Sequence, residues 1–383
     1  MSSKGWNVLK IGNIGRIVTG KTPPTQYAEN FGNKYPFITP RDMSGQKRIN
    51  QTERYLSEKG KNEVKNCLLP VNAICVSCIG SDMGKVVMTT TNSITNQQLN
   101  SIICNDSFNP DFIYYALVNI SSGLRNIGHN STAVPILNKT DFSNFEISVP
   151  DIFTQRRIAE ILSALDDKIE LNRQTNATLE AIAQAIFKEW FVDFDFPGAT
   201  GEMVESEMGM IPKGWRAGKV EDFVKISTGK GLHKNEFIER GYPVLGANGL
   251  IGYTGNYLLD EEVILTGRVG TLGTFQLVNE RVWISDNVLI LQPIDKEKYY
   301  FSYFWLKTIN FRNLNRGSTQ PLVTKTDLSN QQLLIPDPIT LLMFDMICRS
   351  LYNHFNNNKQ QSFTLTTIRD TLLPRLINGE IPV

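Results

Sequence analysis

From Asp151 to Phe196 the chain contains neither Gly nor Pro, and its apolar positions recur with a helical period. Ile158, Leu165, Asn172, Leu179 and Ile186 fall seven apart; Leu162, Ile169, Asn176 and Ala183 follow the first four of them by four residues. Sustained over this length, that spacing predicts a long helix with a coiled-coil seam rather than a helix packed only on its own domain. At an offset of 186 the seam returns as Phe344, Leu351, Asn358, Leu365 and Leu372, with Cys348, Phe355, Ser362 and Arg369 beside it. Asn holds the same central position in both helices, and Pro374 predicts an early end to the second.

The segments before each helix follow a different pattern, with short apolar runs set between turn residues. Ala73–Ile79, Lys85–Thr89 and Leu99–Cys104 read as strands, the first two around Gly80 and Gly84. Asn109-Pro110-Asp111 ahead of Phe112–Val118 reads as a capped helix with Pro at its first position. Glu146–Val149 and Leu333–Ile335 read as closing strands ended by Pro, after which Asp151 and Asp337 stand at helix N-cap positions.

These patterns occur twice. Gly5-Trp6 and Thr19-Gly20-Lys21 recur as Gly214-Trp215 and Thr228-Gly229-Lys230, and Tyr35-Pro36-Phe37-Ile38 as Tyr242-Pro243-Val244-Leu245. Pro135–Phe142 recurs as Pro321–Leu328, in which Asn138-Lys139-Thr140-Asp141 answers Thr324-Lys325-Thr326-Asp327. Between these anchors the copies diverge, so one fold is used twice with different middles. The expected organisation is α+β. A mixed α/β domain over 1–150 is followed by a helix over 151–196 and a linker over 197–212. A second mixed domain over 213–336 and a second helix over 337–383 complete it.

Apolar residues make up 41% of the 383 and charged residues 20%, a globular composition. No apolar run approaches eighteen residues and the first six have no apolar core, so neither a membrane span nor an export signal is expected. Five cysteines in so long a chain are no disulfide framework, and three histidines leave little for a metal cage. Reduced thiols and a cytoplasmic setting are the simplest expectation. The net charge of +1 hides a partition. Residues 1–150 hold 15 Lys and Arg against 10 Asp and Glu, 151–212 hold 5 against 12, 213–336 hold 15 against 12, and 337–383 hold 4 of each. Two basic blocks flank an acidic one, as expected of two phosphate-binding surfaces on an acidic connector.

The sequence holds no convincing catalytic constellation. Gly15–Thr22 matches the Walker A pattern in letters, but Pro23-Pro24 follows at once where a P-loop needs a helix. Cys75-Val76-Ser77-Cys78 lies in a strand-like run whose alternation sends the thiols to opposite faces. Gly267–Gly273 lacks dinucleotide spacing, Glu63-Val64-Lys65 is a chance-level nuclease fragment, and no Asn-Pro-Pro-aromatic methyltransferase motif occurs.

Ala185-Ile186-Phe187-Lys188-Glu189-Trp190-Phe191-Val192-Asp193-Phe194-Asp195, then Ser206-Glu207-Met208-Gly209-Met210-Ile211-Pro212-Lys213-Gly214-Trp215, resembles the centre of a specificity subunit of type I restriction–modification enzymes. Leu372–Ile381 is similar to that family's ending. The resemblance implies two target recognition domains in tandem, each followed by a conserved helix, with the helices pairing as an antiparallel coiled coil. It implies a non-catalytic reader of double-stranded DNA, with one half of a bipartite target per domain. The same resemblance implies docking of two methyltransferase subunits and of restriction/translocase subunits. S-adenosylmethionine and ATP would belong to those partners, and no cofactor to this chain. Residues 154–190 would span about 55 Å as a helix, more than the roughly 34–36 Å between half-sites one turn apart. The candidate DNA contacts are Lys21, Arg41, Lys85 and Lys139 in the first domain and Lys230, Arg268, Arg316 and Lys325 in the second; the two Lys-Thr-Asp segments could instead be structural turns. The competing readings are a repeat-built scaffold for protein partners and a silent specificity cassette without modifying partners.

Overall fold

The computed structural model describes residues 5–129, 136–269, 272–311, 313–314 and 322–383; the start of the Pro135 and Pro321 repeats lies outside them. The first repeat opens with β1 (Asn7–Lys10) and β2 (Gly15–Thr19). It continues through β3 (Phe31–Gly32), β4 (Tyr35–Ile38), β5 (Arg48–Ile49), β6 (Arg54–Leu56) and helix α1 (Glu58–Glu63). Strands β7 (Ile74–Ser77), β8 (Val86–Thr89), β9 (Ile94–Thr95) and β10 (Leu99–Cys104) precede helices α2 (Pro110–His129) and α3 (Lys139–Asn144). Strand β11 (Glu146–Val149) then leads into the long helix α4 (Ile152–Phe191). A hairpin of β12 (Met203–Ser206) and β13 (Gly209–Pro212) occupies the linker. The second repeat runs β14 (Arg216–Lys219), β15 (Val224–Thr228), β16 (Phe237–Ile238), β17 (Tyr242–Gly246), β18 (Gly249–Thr254), β19 (Val263–Gly267), β20 (Phe275–Val278), β21 (Trp283–Ile284) and β22 (Val288–Pro293). Helices α5 (Tyr299–Thr308) and α6 (Lys325–Ser329), strand β23 (Gln332–Ile335) and the long helix α7 (Pro338–Ile377) complete it.

The chain divides into two compact units, Met1–Gln174 with Asn358–Val383, and Thr175–Asn357. Each unit therefore holds one repeat's sheets and part of both long helices.

In the first unit the sheet order is β2-β10-β7-β8-β5, beside a second sheet β3-β6-β4-β9 and the closing pair β1-β11. Period-two alternation gives the five-stranded sheet two apolar faces. Ile17, Ile74, Val76, Met88 and Ile102 pack with Phe112, Tyr115, Phe142, Ile158, Leu162, Leu373 and Leu376 on its helical side. Val18, Cys75, Val87 and Leu99 pack with Ile38, Met43 and Leu69 on the other. Cys75 and Cys78 thus sit in different clusters, and burial raises their thiols to about 12 and about 11. The second unit repeats the plan as β15-β22-β19-β20, β16-β18-β17-β21 and β14-β23. Ile264, Leu289 and Leu291 face the helical side, while Val263, Leu265, Val288 and Ile290 face the other. Even the parallel pairing is shared, β4 with β9 and β17 with β21. The strand β5, which pairs with β8, has no counterpart among the second unit's described strands.

The caps follow the sequence expectation. The Asn109 side chain accepts from the Phe112 amide at 2.9 Å. Asp151 accepts from the amides of Phe153 and Thr154, and Asp337 from those of Ile339 and Thr340. Two helix ends differ from it. Helix α4 stops at Phe191, five residues early, because Phe194 takes a positive φ of 64°. That turn delivers Phe194 and Phe196 to Trp215, with ring centroids 5.7 and 4.9 Å away. Helix α7 runs through Pro374 to Ile377. The carbonyl that proline leaves unpaired is one bond, whereas Leu373, Leu376 and Ile377 are buried in the first unit's core and hold the turn in place. The stop comes at Gly379, with a φ of 68°, whose amide donates to the Leu376 carbonyl at 3.1 Å.

The ten heptad positions are buried or half-buried throughout. In the first unit the Asn172 amide donates to Gln361 Oε1 at 2.9 Å and Ser362 Oγ at 3.2 Å, and Arg369 pairs with Asp166 at 2.6 Å. In the second unit Asn176 donates to the Phe355 carbonyl at 3.1 Å, and Phe344 packs edge-on to Phe191 with centroids 5.0 Å apart.

Candidate DNA interface

The repeated Thr-Gly-Lys marks a backbone crossing. After β2 the Gly20 amide donates to the Leu99 carbonyl and the Lys21 amide to the Thr95 carbonyl, at 3.1 and 2.9 Å. After β15 the Gly229 amide donates to the Val288 carbonyl and the Lys230 amide to the Ile284 carbonyl, at 3.1 and 2.8 Å. Here the chain leaves one sheet directly beneath the strand end of the other. A Cβ on Gly20 would stand 2.1 Å from the Asn96 carbonyl oxygen, and one on Gly229 2.2 Å from that of Ser285, so only glycine fits. No helix begins at Gly20, which removes the phosphate-cradling geometry of a P-loop.

The crossing presents an exposed Lys21 in one repeat and an exposed Lys230 in the other. Opposite each lysine is a tight turn that joins the two sheets. Asn96-Gln97-Gln98-Leu99 closes by the Leu99 amide on the Asn96 carbonyl at 3.2 Å, and Ser285-Asp286-Asn287-Val288 by the Val288 amide on the Ser285 carbonyl at 3.1 Å. The strand β4 or β17 fixes each turn's start, through Asn96 N to Ile38 O and Ser285 N to Leu245 O.

The other candidate cations are placed less uniformly. Arg41 is exposed on the turn after β4, where Asp42 caps Thr39. The Lys85 ammonium turns back onto the protein, donating to the Pro40 carbonyl at 3.1 Å and pairing with Asp82 at 2.8 Å; it ties the turn after β7 to the turn that carries Arg41. Lys139 and Lys325 are exposed first residues of α3 and α6, which Asn138 and Thr324 cap, so these segments are short helices rather than turns. Arg268 is exposed past β19, its amide on the Asn287 carbonyl at 3.0 Å, so it adjoins the same turn as Lys230. Arg316 lies outside the described residues.

The sequence reading missed the cations of the interior. Lys47 is buried, its ammonium 2.7 Å from Asp111 and 2.7 Å from Ser163 Oγ, over the Tyr115 ring. Arg48 shares Asp111 at 2.8 Å. In the second unit Arg349 binds Glu262 with both terminal nitrogens and Asp345 with Nε. These groups fasten long helices to sheets rather than face a ligand. Arg369 at a seam position was the visible signal, since a charge there needs a partner. No group of three or more metal-ligating side chains occurs among the described residues.

The described residues thus form two sheet-and-helix repeats that present equivalent lysine-bearing crossings. The model of the type I restriction modification DNA specificity domain matches residues 3–181 and again 212–339. The type I restriction enzyme MjaIX specificity subunit of Methanocaldococcus jannaschii is 31% identical over 99% of this chain and 94% of its own length. The HindI specificity subunit of Haemophilus influenzae is 36% identical over 45% of this chain and 39% of its own. The crystal structure of a type I restriction-modification S subunit from M. genitalium shares the fold, with a TM-score of 0.60 at 18% identity, over 97% of this chain and 96% of that one. The chain belongs to the family of type I restriction–modification DNA specificity subunits. It is the non-catalytic, target-recognising component, built from two copies of the specificity domain.

Proposed function

We propose that each repeat reads one half of a bipartite, asymmetric DNA target, while α4 and α7 pair as an antiparallel coiled-coil spacer. The observation that carries this reading is the duplicated crossing, with one backbone geometry presenting Lys21 and Lys230 beside turns of different sequence. Phosphate contacts set register and supply affinity, and differing turn side chains supply sequence information. The proposed phosphate contacts are Lys21, Arg41, Lys139, Lys230, Arg268 and Lys325, with Lys85 bracing Arg41. The hydrogen bonds of Asn172 and Asn176 and the Arg369–Asp166 pair support helix pairing through Ile158, Leu165, Leu179, Ile186, Leu351, Leu365 and Leu372.

The spacer docks two methyltransferase subunits, which supply S-adenosylmethionine chemistry, and the complex takes up restriction/translocase subunits that use ATP. The assembly works in the cytoplasm; no helix among the described residues is long and apolar enough to cross a membrane. Binding to random duplex across a salt series tests the phosphate surface. The affinity falls as a power of salt concentration, and Lys21→Ala and Lys230→Ala each reduce the slope by about one. A salt-independent affinity refutes the reading in favour of a protein scaffold.

A further inference from the structure

The two turns opposite Lys21 and Lys230 share their backbone and differ in what they expose. Equivalent positions at the tips are Gln97 and Asp286, both exposed, each two residues past the parallel strand β9 or β21. Three backbone bonds recur at each turn: glycine amide to the strand that follows, lysine amide to the strand before, and turn start to β4 or β17. Backbone held so alike, with tips so unlike, is what a reader needs: a fixed platform and an interchangeable side chain.

The chemistry at the tips is complementary. Thr22 Oγ1 donates to Gln97 Oε1 at 2.8 Å, fixing the amide while leaving its nitrogen and a second lone pair on its oxygen. In the second repeat Gly231 replaces Thr22, and Ser285 Oγ, from within the turn, donates to Asp286 Oδ1 at 3.2 Å instead, leaving Asp286 Oδ2 to face outward as an acceptor. A primary amide matches the acceptor–donor pair of adenine in the major groove; a carboxylate matches the amino group of cytosine. Asp286 also stands on a surface that meets a polyanion, where a carboxylate facing phosphate is repelled. A base-edge donor is the partner that makes an acidic tip favourable.

We propose that Gln97 and Asp286 are base-reading residues at equivalent places in the two repeats, Gln97 taking an adenine in one half-site and Asp286 a cytosine in the other, with Thr22 positioning Gln97. This rests on the reading of the repeats as DNA binders.

The test uses the full chain assembled with its modification subunits. Host methylome sequencing gives the target, and a panel of duplexes carrying each single substitution of that target is then titrated. Gln97→Ala lowers discrimination at one adenine of one half-site by roughly 5- to 150-fold and leaves the other half-site unchanged. Asp286→Asn does the same at one cytosine of the other half-site, and Gln97→Glu moves preference at its position from adenine towards cytosine. Thr22→Ala relaxes the Gln97 position alone, and less. Discrimination unchanged at every position, or affinity lowered equally on all duplexes, overturns the proposal. A wild-type complex that binds every duplex alike and without salt dependence overturns the DNA-reading function itself, which is a separate result. If a tip variant proves unfolded by circular dichroism, the Gln97→Glu and Thr22→Ala profiles decide.

Discussion

Asn172 and Gln361 meet through a 2.9 Å hydrogen bond from amide to amide oxygen, with the Asn172 nitrogen also 3.4 Å from the Asn358 carbonyl. Asn172 is 2% exposed and occupies a position that the heptad pattern reserves for an apolar residue. Polar seam residues fix register at some cost in stability. Burying a leucine contributes about 1.5–3 kcal/mol, against about 0.5–1.5 kcal/mol for the hydrogen bonds lost. Asn172→Leu is therefore expected to raise stability, and each 1 kcal/mol gained raises the unfolding midpoint by roughly 2–4 °C for a body of this size. Asn172→Ala, which leaves a gap, lowers it. Thermal unfolding of the purified subunit checks both.

The Arg369–Asp166 pair is the costlier feature. Asp166 is 8% exposed and also accepts from Tyr115 Oη at 2.6 Å. Removing one partner strands a buried charge, so Arg369→Met is expected to cost about 3–5 kcal/mol. The double variant Arg369→Met with Asp166→Leu recovers much of that loss, read from denaturant midpoints.

Asp337 gives a pH-dependent test. Burial alone would raise its carboxyl, but the hydroxyl and amide of Thr340, the Trp215 indole and the Ile339 amide outweigh it and hold the pKa below the usual value. A depressed folded pKa contributes stability that is present above about 3.9 and is lost as pH falls through the folded value. Asp337→Ala is expected to cost about 0.5–2 kcal/mol at neutral pH. That difference shrinks once the wild-type carboxyl is protonated. Unfolding of both proteins at pH 7 and pH 2.5 measures it.

The crossing glycines predict an asymmetry between substitutions that look alike. Gly20→Ala and Gly229→Ala each drive a Cβ into backbone carbonyl oxygens of the turn, and each is expected to cost at least about 1–3 kcal/mol. Gly123→Ala, inside α2 with open space around it, is expected to be neutral or stabilising by up to about 1 kcal/mol. Thermal unfolding of the three variants separates them.

Periodicity made both long helices, the closing strands and the Asp caps legible, because each leaves a local signature. Phe191 and Pro374 show its limits. One helix stopped while its apolar pattern continued, since Trp215, 24 residues on, claims Phe194 and Phe196; the other passed a proline because its next turn is core. At the candidate interface, Gly20 and Lys21 were visible as a repeated motif. That Gly20 is a crossing, and that Gln97 stands opposite it, depends on pairing between strands far apart in sequence. Lys85, expected to contact DNA, and Lys47, which no motif marks, were illegible for the same reason: their partners, the Pro40 carbonyl and Asp111, lie in other elements.

The two repeats are expected to recognise DNA independently of one another. Residues 1–150 are exchanged for the corresponding segment of a related specificity subunit, and the methylome of a host expressing the chimera with its modification subunits is sequenced. One half-site is expected to change to the donor's while the other half-site and the gap stay as they were. A change in both half-sites, with the gap intact, would contradict it.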